Sequence, residues 1–318
     1  MGGERWGVVV VTRDGGAKLG AAVRSALAEG VRPRCVVVVD NGSTDGSVEA
    51  MERAAPGVLV VREGCNTGFA RAVNRGLRTL PDVEFCLLLN NDAELDAGAL
   101  EAFAASFDAM PRVALAGGQL RYPDGRLQSA FAPLPTLREE LVPRALLKLL
   151  WPERYRRVAA TDETRLVESV FGACLAVRRA ALEHVGLLDE DFFFYYEEVE
   201  WCRRAGLRGC SVAHVPAARA VHLLGHTALR SRSGARVEME RSKLMYFRKN
   251  AGPIGYAVLS GWLVVRAGVN AASGWVGAVA RMRFGGERWE KTQAYGTLLL
   301  WHVRGRPKAW GLPGRCRS

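Results

Sequence analysis

Three polar clusters interrupt apolar stretches of this chain and carry residue types suited to metal and nucleotide chemistry. The first, Asp40-Asn41-Gly42-Ser43-Thr44-Asp45-Gly46-Ser47, follows a run of four valines. Its glycines and short side chains let a ligand approach the backbone, and a carboxylate at a strand end accepts hydrogen bonds from a base N–H or a ribose hydroxyl. The alternative role for Asp45 or Ser47 is to cap the following helix.

The second cluster, Asn90-Asn91-Asp92, emerges directly from the apolar run Cys86 to Leu89. A carboxylate here is suited to hold Mg²⁺ or Mn²⁺, because a hard cation with oxygen ligands neutralises the charge that develops on a leaving diphosphate. The alternative is again a helix cap, from Asp92 or Asp96, since a helical stretch begins at Ala97. The motif alone leaves both roles open.

The third cluster runs from Asp189 to Glu200, where acidic residues flank the aromatic run Phe192 to Tyr196. Aromatic residues at this density favour burial, and acids held beside apolar surface gain raised pKa values and general-base character. An ordinary amphipathic helix start is the alternative for Glu197 and Glu200. Further along, His222 ends a predicted strand; a lone histidine is usually structural, but near a carboxylate it becomes a candidate metal ligand.

The elements that must position these clusters alternate between short apolar strands and helical stretches. The predicted order is Trp6–Thr12, Ala17–Glu29, Cys35–Asp40, Ser47–Ala55, Val58–Arg62, Ala70–Leu80, Glu84–Asn90 and Ala97–Met110, strand first. This alternation predicts an α/β fold with a doubly wound, mostly parallel sheet flanked by helices. Such sheets bind ligands beyond the carboxyl ends of their strands, where the first two clusters and Asn66-Thr67-Gly68 fall.

The second half of the chain predicts shorter elements and then a helical end. The predicted elements are a turn between short strands in Leu120–Phe131, a helix Leu137–Arg157 broken by Pro143 and Pro152, a strand Val167–Val177, helices Arg178–Val185 and Glu197–Ala205, strands Ser211–Val215 and Arg219–Leu223, a basic helix Val237–Asn250, and two apolar helices Ile254–Val265 and Ala267–Ala280 separated by Arg266.

Charge is distributed unevenly along the chain. The net charge is +11, but residues 228–318 hold 17 Lys/Arg and 4 Asp/Glu, a net of +13, which leaves −2 for residues 1–227. We therefore expect a catalytic or binding body over 1–227 and a basic helical extension over 228–318. A basic tail with tryptophans suits nucleic acid, an anionic membrane surface or a lipid phosphate.

The apolar part of this extension predicts no membrane span. A span needs roughly 20 apolar residues, and Arg266 interrupts the run before that length. Two apolar helices flanked by arginines suit either an interfacial position on a membrane or a helical pair packed on the body. Both readings stay open.

Composition places the chain among globular proteins of a reducing compartment. With 49% hydrophobic and 24% charged residues over 318 positions, disorder and a fibrous class are excluded. The seven scattered cysteines contain no Cys-x-x-Cys pair and favour reduced thiols in the cytosol. The start of the chain lacks the basic flank and length of a signal peptide, so Val8 to Val11 is interpreted as a first strand.

With these segments in this order, the sequence resembles family 2 glycosyltransferases, and within them the bacterial rhamnosyltransferase-like group. The resemblance runs from about Trp6 to His226, and the ordered set is specific although each piece is not. The matching segments are Val38–Ser47, Asn66–Ala70 with Asn74 and Gly76, Leu89–Asp92, Gly172–Cys174 with Arg178 and Arg179, Gly186–Glu190, Phe193–Glu200 with Arg203, and Pro216 with His222.

The resemblance implies a GT-A fold and a donor site for a nucleotide-diphosphate sugar, with rhamnose as one candidate. Thr12 and Asp40 would contact the base and ribose, and Asp45 would support that loop. Asp92 matches the last acid of the family's Asp-x-Asp element and would ligate Mg²⁺ or Mn²⁺, with His222 completing the metal site. The other implied donor-binding residues are Asn41, Ser43, Asn66, Gly68 and Asn91.

For catalysis, the resemblance implies that Glu198 deprotonates the acceptor hydroxyl for direct, inverting displacement. The sequence departs from the family pattern at two of these positions. Asn90 replaces the first acid of Asp-x-Asp, and Glu198 replaces the usual Asp of a Glu-Asp pair. The extra methylene matters because a shift near 1 Å costs on the order of 100-fold in rate, which keeps Glu197 as the alternative base. No Gln-x-x-Arg-Trp element follows, which disfavours a processive synthase.

Two other classes compete with this interpretation. A sugar nucleotidyltransferase needs a glycine-rich loop after the first strand, and Thr12–Lys18 has the composition without the spacing. A non-catalytic protein that binds nucleotide sugar or nucleic acid would use the basic tail. We expect instead a glycosyltransferase with no nucleic-acid partner, cytoplasmic or peripheral on the inner face of the cell membrane, acting on a cell-envelope or surface glycan acceptor, with lipid-linked acceptors favoured by the tail.

Overall fold

The computed structural model describes residues 4–155, 163–223 and 232–316, and a nine-stranded sheet lies at its centre. The strand order is β3-β2-β1-β4-β10-β6-β11-β5, with β8 paired to β11 and a separate β7–β9 pair. The strands are β1 Glu4–Thr12, β2 Val36–Asp40, β3 Leu59–Arg62, β4 Val83–Asn90, β5 Ala93–Leu95, β6 Val113–Arg121, β7 Phe131–Ala132, β8 Arg165–Val167, β9 Ser169–Val170, β10 Cys174–Arg178 and β11 Ser211–His222.

The first four strands form the parallel half of the sheet. β1 pairs in parallel with both β2 and β4, and β2 pairs in parallel with β3. The valine and leucine runs of β1, β2 and β4 are buried because helices cover both faces of such a sheet, whereas the edge strand β3 is partly exposed. The register places Thr12 opposite Asp40 and Val11 opposite Asn90, so three strand ends lie side by side.

Helices connect these strands in the predicted order. In the body of the molecule they are α1 Ala17–Ala28, α2 Ser47–Ala54, α3 Phe69–Thr79, α4 Ala99–Ala109, α5 Leu137–Leu141, α6 Arg144–Leu150, α7 Leu182–Val185 and α8 Glu197–Leu207. The first four agree with the sequence prediction to within a few residues. The predicted helix that starts at Leu137 is interrupted at Pro143 as expected, and its predicted end at Arg157 lies outside the described residues.

Two strand predictions are wrong in detail. The predicted strand Val167–Val177 is three short strands, β8, β9 and β10, of which β10 runs antiparallel between β4 and β6. The predicted strands Ser211–Val215 and Arg219–Leu223 are one strand, β11, whose register shifts between Val215 and Arg219. Pro216 lies in that shift and has no N–H to donate, so the pairing is interrupted without ending the strand.

The chain ends in three further helices, α9 Arg232–Asn250, α10 Gly252–Ala280 and α11 Gly286–Val303. The prediction of two apolar helices separated by Arg266 is wrong, because α10 runs through it unbroken. The Arg266 guanidinium lies 3.5 Å from Glu140 and 3.2 Å from Glu240, so partners inside the bundle compensate its charge. By length and composition, α10 is also the one helix among the described residues that passes as a membrane span.

The C-terminal helices share a small core of their own, separate from the core around the sheet. The expected boundary between 227 and 228 lies outside the described residues. The buried side chains of this second core are Phe192, Val237, Leu244, Tyr246, Phe247, Leu259, Leu263, Ala267, Leu298 and Trp301. Since Phe192 belongs to the acidic segment, the helices pack directly on it.

Cysteine pairing departs from the expectation of reduced thiols. Cys65 and Cys316 form a disulfide across a sequence separation of 251 residues, whereas Cys35, Cys86, Cys174, Cys202 and Cys210 are free. Spacing along the chain contains no signal for a pair this far apart. The bond fixes the end of the chain beside the loop that follows β3.

Candidate active site

The ends of β1, β2 and β4 bring the first two polar clusters together. Thr12 and Asp40 are buried at paired positions, and the Asn91 side-chain amide donates to the Thr12 hydroxyl at 2.9 Å. A side chain at Gly15 would approach within 2.6 Å of that hydroxyl, so glycine keeps this edge open to a ligand. Thr12, Asp40 and Asn91, all predicted as donor-binding, therefore lie at one edge of the sheet.

Carboxylates hold the loops at this edge in shape. Asp40 Oδ1 accepts the Ser43 N–H at 2.8 Å, and the Ser43 hydroxyl accepts the Asp14 N–H at 3.0 Å. Asp45 accepts the backbone N–H groups of Gly16 and Ser47. Burial raises the pKa of Asp45, but these bonds and the Ser47 hydroxyl outweigh it, and the pKa lies below its usual value. Asp45 thus buttresses the loop as a charged group.

The loop after β3 is fastened to Asn41 on one side and to the acidic segment on the other. The Asn41 side chain donates to Gly68 O at 3.1 Å and accepts the Thr67 hydroxyl at 2.8 Å, while Asn66 Oδ1 accepts the Gly68 N–H. Gly68 has φ +94°, and a Cβ there would meet the Phe193 ring and carbonyl at 2.7 Å. Only glycine allows this close approach.

Asp92 and His222 meet at the end of β4. His222 Nε2 lies 3.4 Å from Asp92 Oδ1, and both side chains are buried. Burial raises the pKa of Asp92, but the hydrogen bond and charge of His222 and the charge of Lys18 outweigh it, so the pKa is lowered. The carboxylate is therefore ionised and ready to bind a cation.

Gln128 fixes the orientation of the histidine ring. Its side-chain amide donates to His222 O at 2.6 Å, which turns Oε1 towards His222 Nδ1 at 3.1 Å. An amide oxygen only accepts, so Nδ1 keeps its proton, and when Nε2 gives up the proton that it shares with Asp92, Nε2 is the nitrogen free to ligate. Sequence reasoning missed Gln128, because it lies in a stretch without periodicity.

The residues present fit a divalent cation held jointly with a ligand. Among the described residues, no group of three or more His, Cys, Asp or Glu side chains is placed to hold a metal ion. Asp92 and His222 lie side by side at one edge of the sheet and would offer such an ion one carboxylate and one imidazole ligand. Mg²⁺ and Mn²⁺ commonly take the remaining positions from phosphate oxygens and water, so an incomplete protein set suits a diphosphate-bound ion.

Glu197, which is buried, and Glu198, which is half-buried, form a pair at the start of α8. Tyr195 and Tyr196, both at φ 71°, turn the chain sharply into this helix. Burial raises the pKa of Glu197 well above its usual value, with Glu198 and Glu238 adding to the rise, and burial raises the pKa of Glu198 to about 7. Within the described chain, the Oε2 atom of each glutamate is buried without a hydrogen-bond partner.

The other acids of the third cluster are structural. Glu190 accepts from buried Asn74 at 3.0 Å, which ties the segment to α3, and Asp191 pairs with Lys249 of α9 at 2.6 Å. Glu200 pairs with Arg204 one helical turn later at 2.8 Å. The expectation of raised pKa values is therefore met at Glu197 and Glu198, while the pKa values of Glu190 and Asp191 are lowered.

Backbone contacts bring the glutamate pair to the same edge as Asp92. A Cβ at Gly172 would lie 3.7 Å from Glu198 Cβ, so the two residues are in contact. The next residue, Ala173, accepts the Asn90 N–H at 3.0 Å. Glu198 thus lies beside the end of β4 at Asn90, and Asn90 precedes Asp92 by two residues.

The end of the chain also reaches this edge, which the sequence did not predict. Asn66 N–H donates to Gly314 O at 3.1 Å, and Cys316 N–H donates back to Asn66 O at 3.2 Å. The Arg13 side chain bonds Pro313 O, and the Arg315 guanidinium lies 3.8 Å from the centre of the Phe193 ring. Residues 311–316, the last part of the basic extension and from here on called the tail, therefore cover the loops that follow β1 and β3.

A mostly parallel sheet with polar strand ends side by side, Asp92 next to His222 and a carboxyl pair at the start of α8 are the features of an α/β sheet that binds ligands at its carboxyl edge. The sequence pattern described as glycosyl transferase family 2 matches residues 7–186. The chain belongs to this family, and it is a glycosyltransferase with the GT-A architecture.

Relatives of known name agree with this membership. The N-acetylglucosaminyl-diphospho-decaprenol L-rhamnosyltransferase of Mycobacterium tuberculosis is 31% identical over 235 residues, covering 69% of this chain and 76% of the relative. The low-salt glycan biosynthesis hexosyltransferase Agl10 of Haloferax volcanii is 25% identical over 252 residues, covering 72% and 75%.

Solved structures share the fold at low identity. A mannosyltransferase from Pyrobaculum calidifontis, in complex with GDP-mannose and Mn²⁺, has a TM-score of 0.51 at 16% identity and covers 96% of this chain and 89% of its own. GalNAc-T7 with UDP, GalNAc and Mn²⁺ has a TM-score of 0.52 at 16% identity, covering 69% of this chain and 44% of its own. At these identities the likeness supports the architecture.

Proposed function

We propose that this glycosyltransferase moves a sugar from a nucleoside-diphosphate donor to a lipid-linked glycan acceptor by inverting displacement, at the cytoplasmic face of the cell membrane. The observation that carries the proposal is the meeting of Asp92 and His222 at the end of β4, beside the carboxyl pair Glu197 and Glu198. A cation ligand set next to a buried base is what transfer from a diphosphate donor requires.

Each group at the sheet edge has a role in this reaction. Thr12 and Asp40 bind the base and ribose, with Asn41, Ser43, Asp45, Asn66, Gly68 and Asn91 shaping the pocket. Asp92 and His222 hold a Mg²⁺ or Mn²⁺ ion, which when bound neutralises charge on the departing diphosphate.

Glu198 is the proposed base. Burial raises the pKa of Glu198 to about 7, near the range in which a general base works best. It takes the proton of the acceptor hydroxyl as the oxygen attacks the anomeric carbon. Glu197 is the alternative, but its pKa is raised further and Glu238 lies near it.

The donor and acceptor classes follow from similarity to the mycobacterial relative. That protein is named for rhamnose transfer to an N-acetylglucosaminyl-diphospho-decaprenol, so we propose rhamnose as the sugar and a polyprenyl diphosphate sugar as the acceptor. The basic end of the chain supports work at an anionic membrane surface rather than on nucleic acid. We propose residues 1–227 as the catalytic domain and 228–318 as its membrane-associating extension.

A donor panel with two variants tests these roles. Thermal shift and sugar release with dTDP-rhamnose and other nucleotide sugars, with and without Mn²⁺, should show donor binding that Asp92→Ala abolishes. Glu198→Gln should keep donor binding but lower kcat by about 100- to 10,000-fold, the usual worth of a positioned base. Asp124→Asn, in an exposed turn, serves as the control.

Two results would contradict the assignment. Activity of both variants at the level of Asp124→Asn would remove Asp92 and Glu198 from the site. A wild-type protein that neither binds nor hydrolyses any nucleotide sugar in the panel would refute the proposed donor class.

A further inference from the structure

Helix α10 has two apolar faces, and one of them is exposed. Its inner face packs into the bundle through buried Leu259, Leu263, Ala267 and Ala271. Its outer face is exposed and equally apolar, with Ile254 at 82% and Val276 at 69% exposure. We call this the outer stripe, and it consists of Ile254, Val258, Trp262, Val265, Val269, Val276 and Val279.

The spacing makes the outer stripe continuous. Its members follow one another by three, four or seven residues, which keeps them on one side of an α-helix over about 38 Å. Residues 252–280 contain one charged residue, Arg266, and its ion pairs with Glu140 and Glu240 point it into the bundle. Monomeric soluble proteins rarely expose an apolar surface of this length without a partner.

A short helix beside α10 extends the same surface. α6 is anchored by buried Leu147 and exposes Leu149 at 76% and Trp151 at 42%. The intervening helix α5 contacts both elements, because Glu140 O accepts the Trp262 indole N–H at 2.9 Å and the Arg138 guanidinium lies 4.6 Å from the Trp151 ring centre. Trp151 and Trp262 therefore border one region.

Basic residues gather where the outer stripe ends. The connection from α10 to α11 exposes Met282 at 87% and Phe284 at 54%. Beside these apolar side chains is an open cavity of about 670 Å³, and the charged residues in its lining are Arg281, Arg283, Glu287, Arg288 and Lys291. That lining therefore contains four cations and one carboxylate. Such a charge balance favours the binding of phosphate groups that lie beside apolar acyl chains.

We infer that the outer stripe, with α6 and residues 281–291, lies flat on an anionic bilayer with Arg281, Arg283, Arg288 and Lys291 among the lipid phosphates. Exposed apolar residues with tryptophans and a basic border are the features of an interfacial helix. If α10 crossed the bilayer instead, its inner face would have to leave the core that it shares with the other C-terminal helices. A second copy fits less well, because the four cations against one carboxylate beside the outer stripe complement lipid phosphates better than they complement the same basic surface of another copy.

This surface would deliver the lipid-linked acceptor, a consequence that rests on the proposed function. A mostly apolar cavity of about 570 Å³, lined in part by Leu137, Arg203, Leu207 and Phe247, lies at the far end of α8 and next to the start of α10. Leu207 lies nine positions after Glu198 on α8, a rise of about 13 Å along the helix axis. An acceptor entering from the bilayer would thus approach Glu198 along α8.

Vesicle sedimentation of the full-length protein tests the inference. We expect binding to phosphatidylcholine vesicles that contain phosphatidylglycerol and much weaker binding without it. Val265→Glu and Val269→Glu should each lower the affinity at least about tenfold, because a charge replaces an apolar group in the interface. Arg281→Gln, Arg283→Gln and Arg288→Gln should each cost about fivefold on the anionic vesicles only. Leu166→Glu, at 61% exposure on β8, is the matched control.

The alternatives give distinct results. Protein that stays with the vesicles after carbonate extraction would show a membrane span and overturn the inference. Dimerisation without lipid, abolished by Val265→Glu, would assign the outer stripe to a second copy. Because vesicle binding is measured without donor or acceptor, a failure of sugar transfer leaves this result intact, and a failure of vesicle binding leaves the donor assays intact.

Discussion

Glu197 and Glu198 are adjacent carboxyl groups at the start of α8. Burial disfavours the ionised form of each, so both pKa values are raised. Glu198 must lose its proton to act as a base, and burial raises its pKa to about 7. We therefore expect kcat of sugar transfer to rise with pH through about 7 and to level off above it. A profile measured at saturating donor and Mn²⁺ checks this, and a flat profile would argue against Glu198 as the base.

The same raised pKa predicts how stability depends on pH. A folded-state pKa above the ordinary glutamate value of 4.5 means that the native state binds the proton more tightly, so stability falls as pH rises from about 4.5 to about 7. Glu198→Gln removes this contribution. Its Tm should match the wild type near about pH 5 and exceed it near about pH 8, whereas exposed Glu183→Gln should show no such trend.

Gln128 is a positioning residue, because it acts through the ring of His222. Gln128→Ala should leave the fold intact but lower the apparent affinity for Mn²⁺ about 10- to 100-fold, the usual effect of losing a partner behind a metal ligand. Activity should return at high Mn²⁺, which a general loss of structure would not allow. Gln293→Ala, exposed on α11, is the control, and an unchanged Mn²⁺ dependence would show that His222 needs no such support.

At the scale of elements, the sequence predicted best where one local rule decided the outcome. The valine run before Asp40 and the leucine run before Asn90 marked strand ends correctly, because a polar residue leaving a buried strand must face the sheet edge. The rule failed at Arg266, where a charge in an apolar run was taken as a break. Glu140 and Glu240 compensate that charge from other elements, and sequence periodicity contains no information about them.

The disulfide between Cys65 and Cys316 is an element-scale contact that joins the tail to the loop after β3. Bonds of this kind stabilise by about 2–4 kcal/mol. We expect a reductant to lower the Tm of the wild type, and Cys316→Ser to have a lower Tm that no longer responds to reductant. Cys210→Ser, which removes a free thiol, should keep the response. Seven reactive thiols in denatured, unreduced protein would contradict the pairing.

At the scale of the whole molecule, the sequence predicted the fold class and missed how the two ends of the chain meet. The parallel half of the sheet is local in sequence, so its pattern of strand, helix and polar end was visible. The tail contacts Asn66 and Arg13 from about 250 and 300 residues away. Such contacts depend on the complete fold, and no segment of the sequence shows them beforehand.

The acidic segment is held between the sheet and the C-terminal helices, and this predicts how the protein unfolds. Phe192 lies in the core of those helices, Phe194 O accepts the Ser242 hydroxyl at 2.8 Å, and Lys249 pairs with Asp191. Melting α9 would therefore release the segment that positions Glu197 and Glu198. We expect calorimetry of the full chain to show a single transition, with activity lost at the same temperature. Two separated transitions, with activity surviving the first, would show that the helices are dispensable to the site.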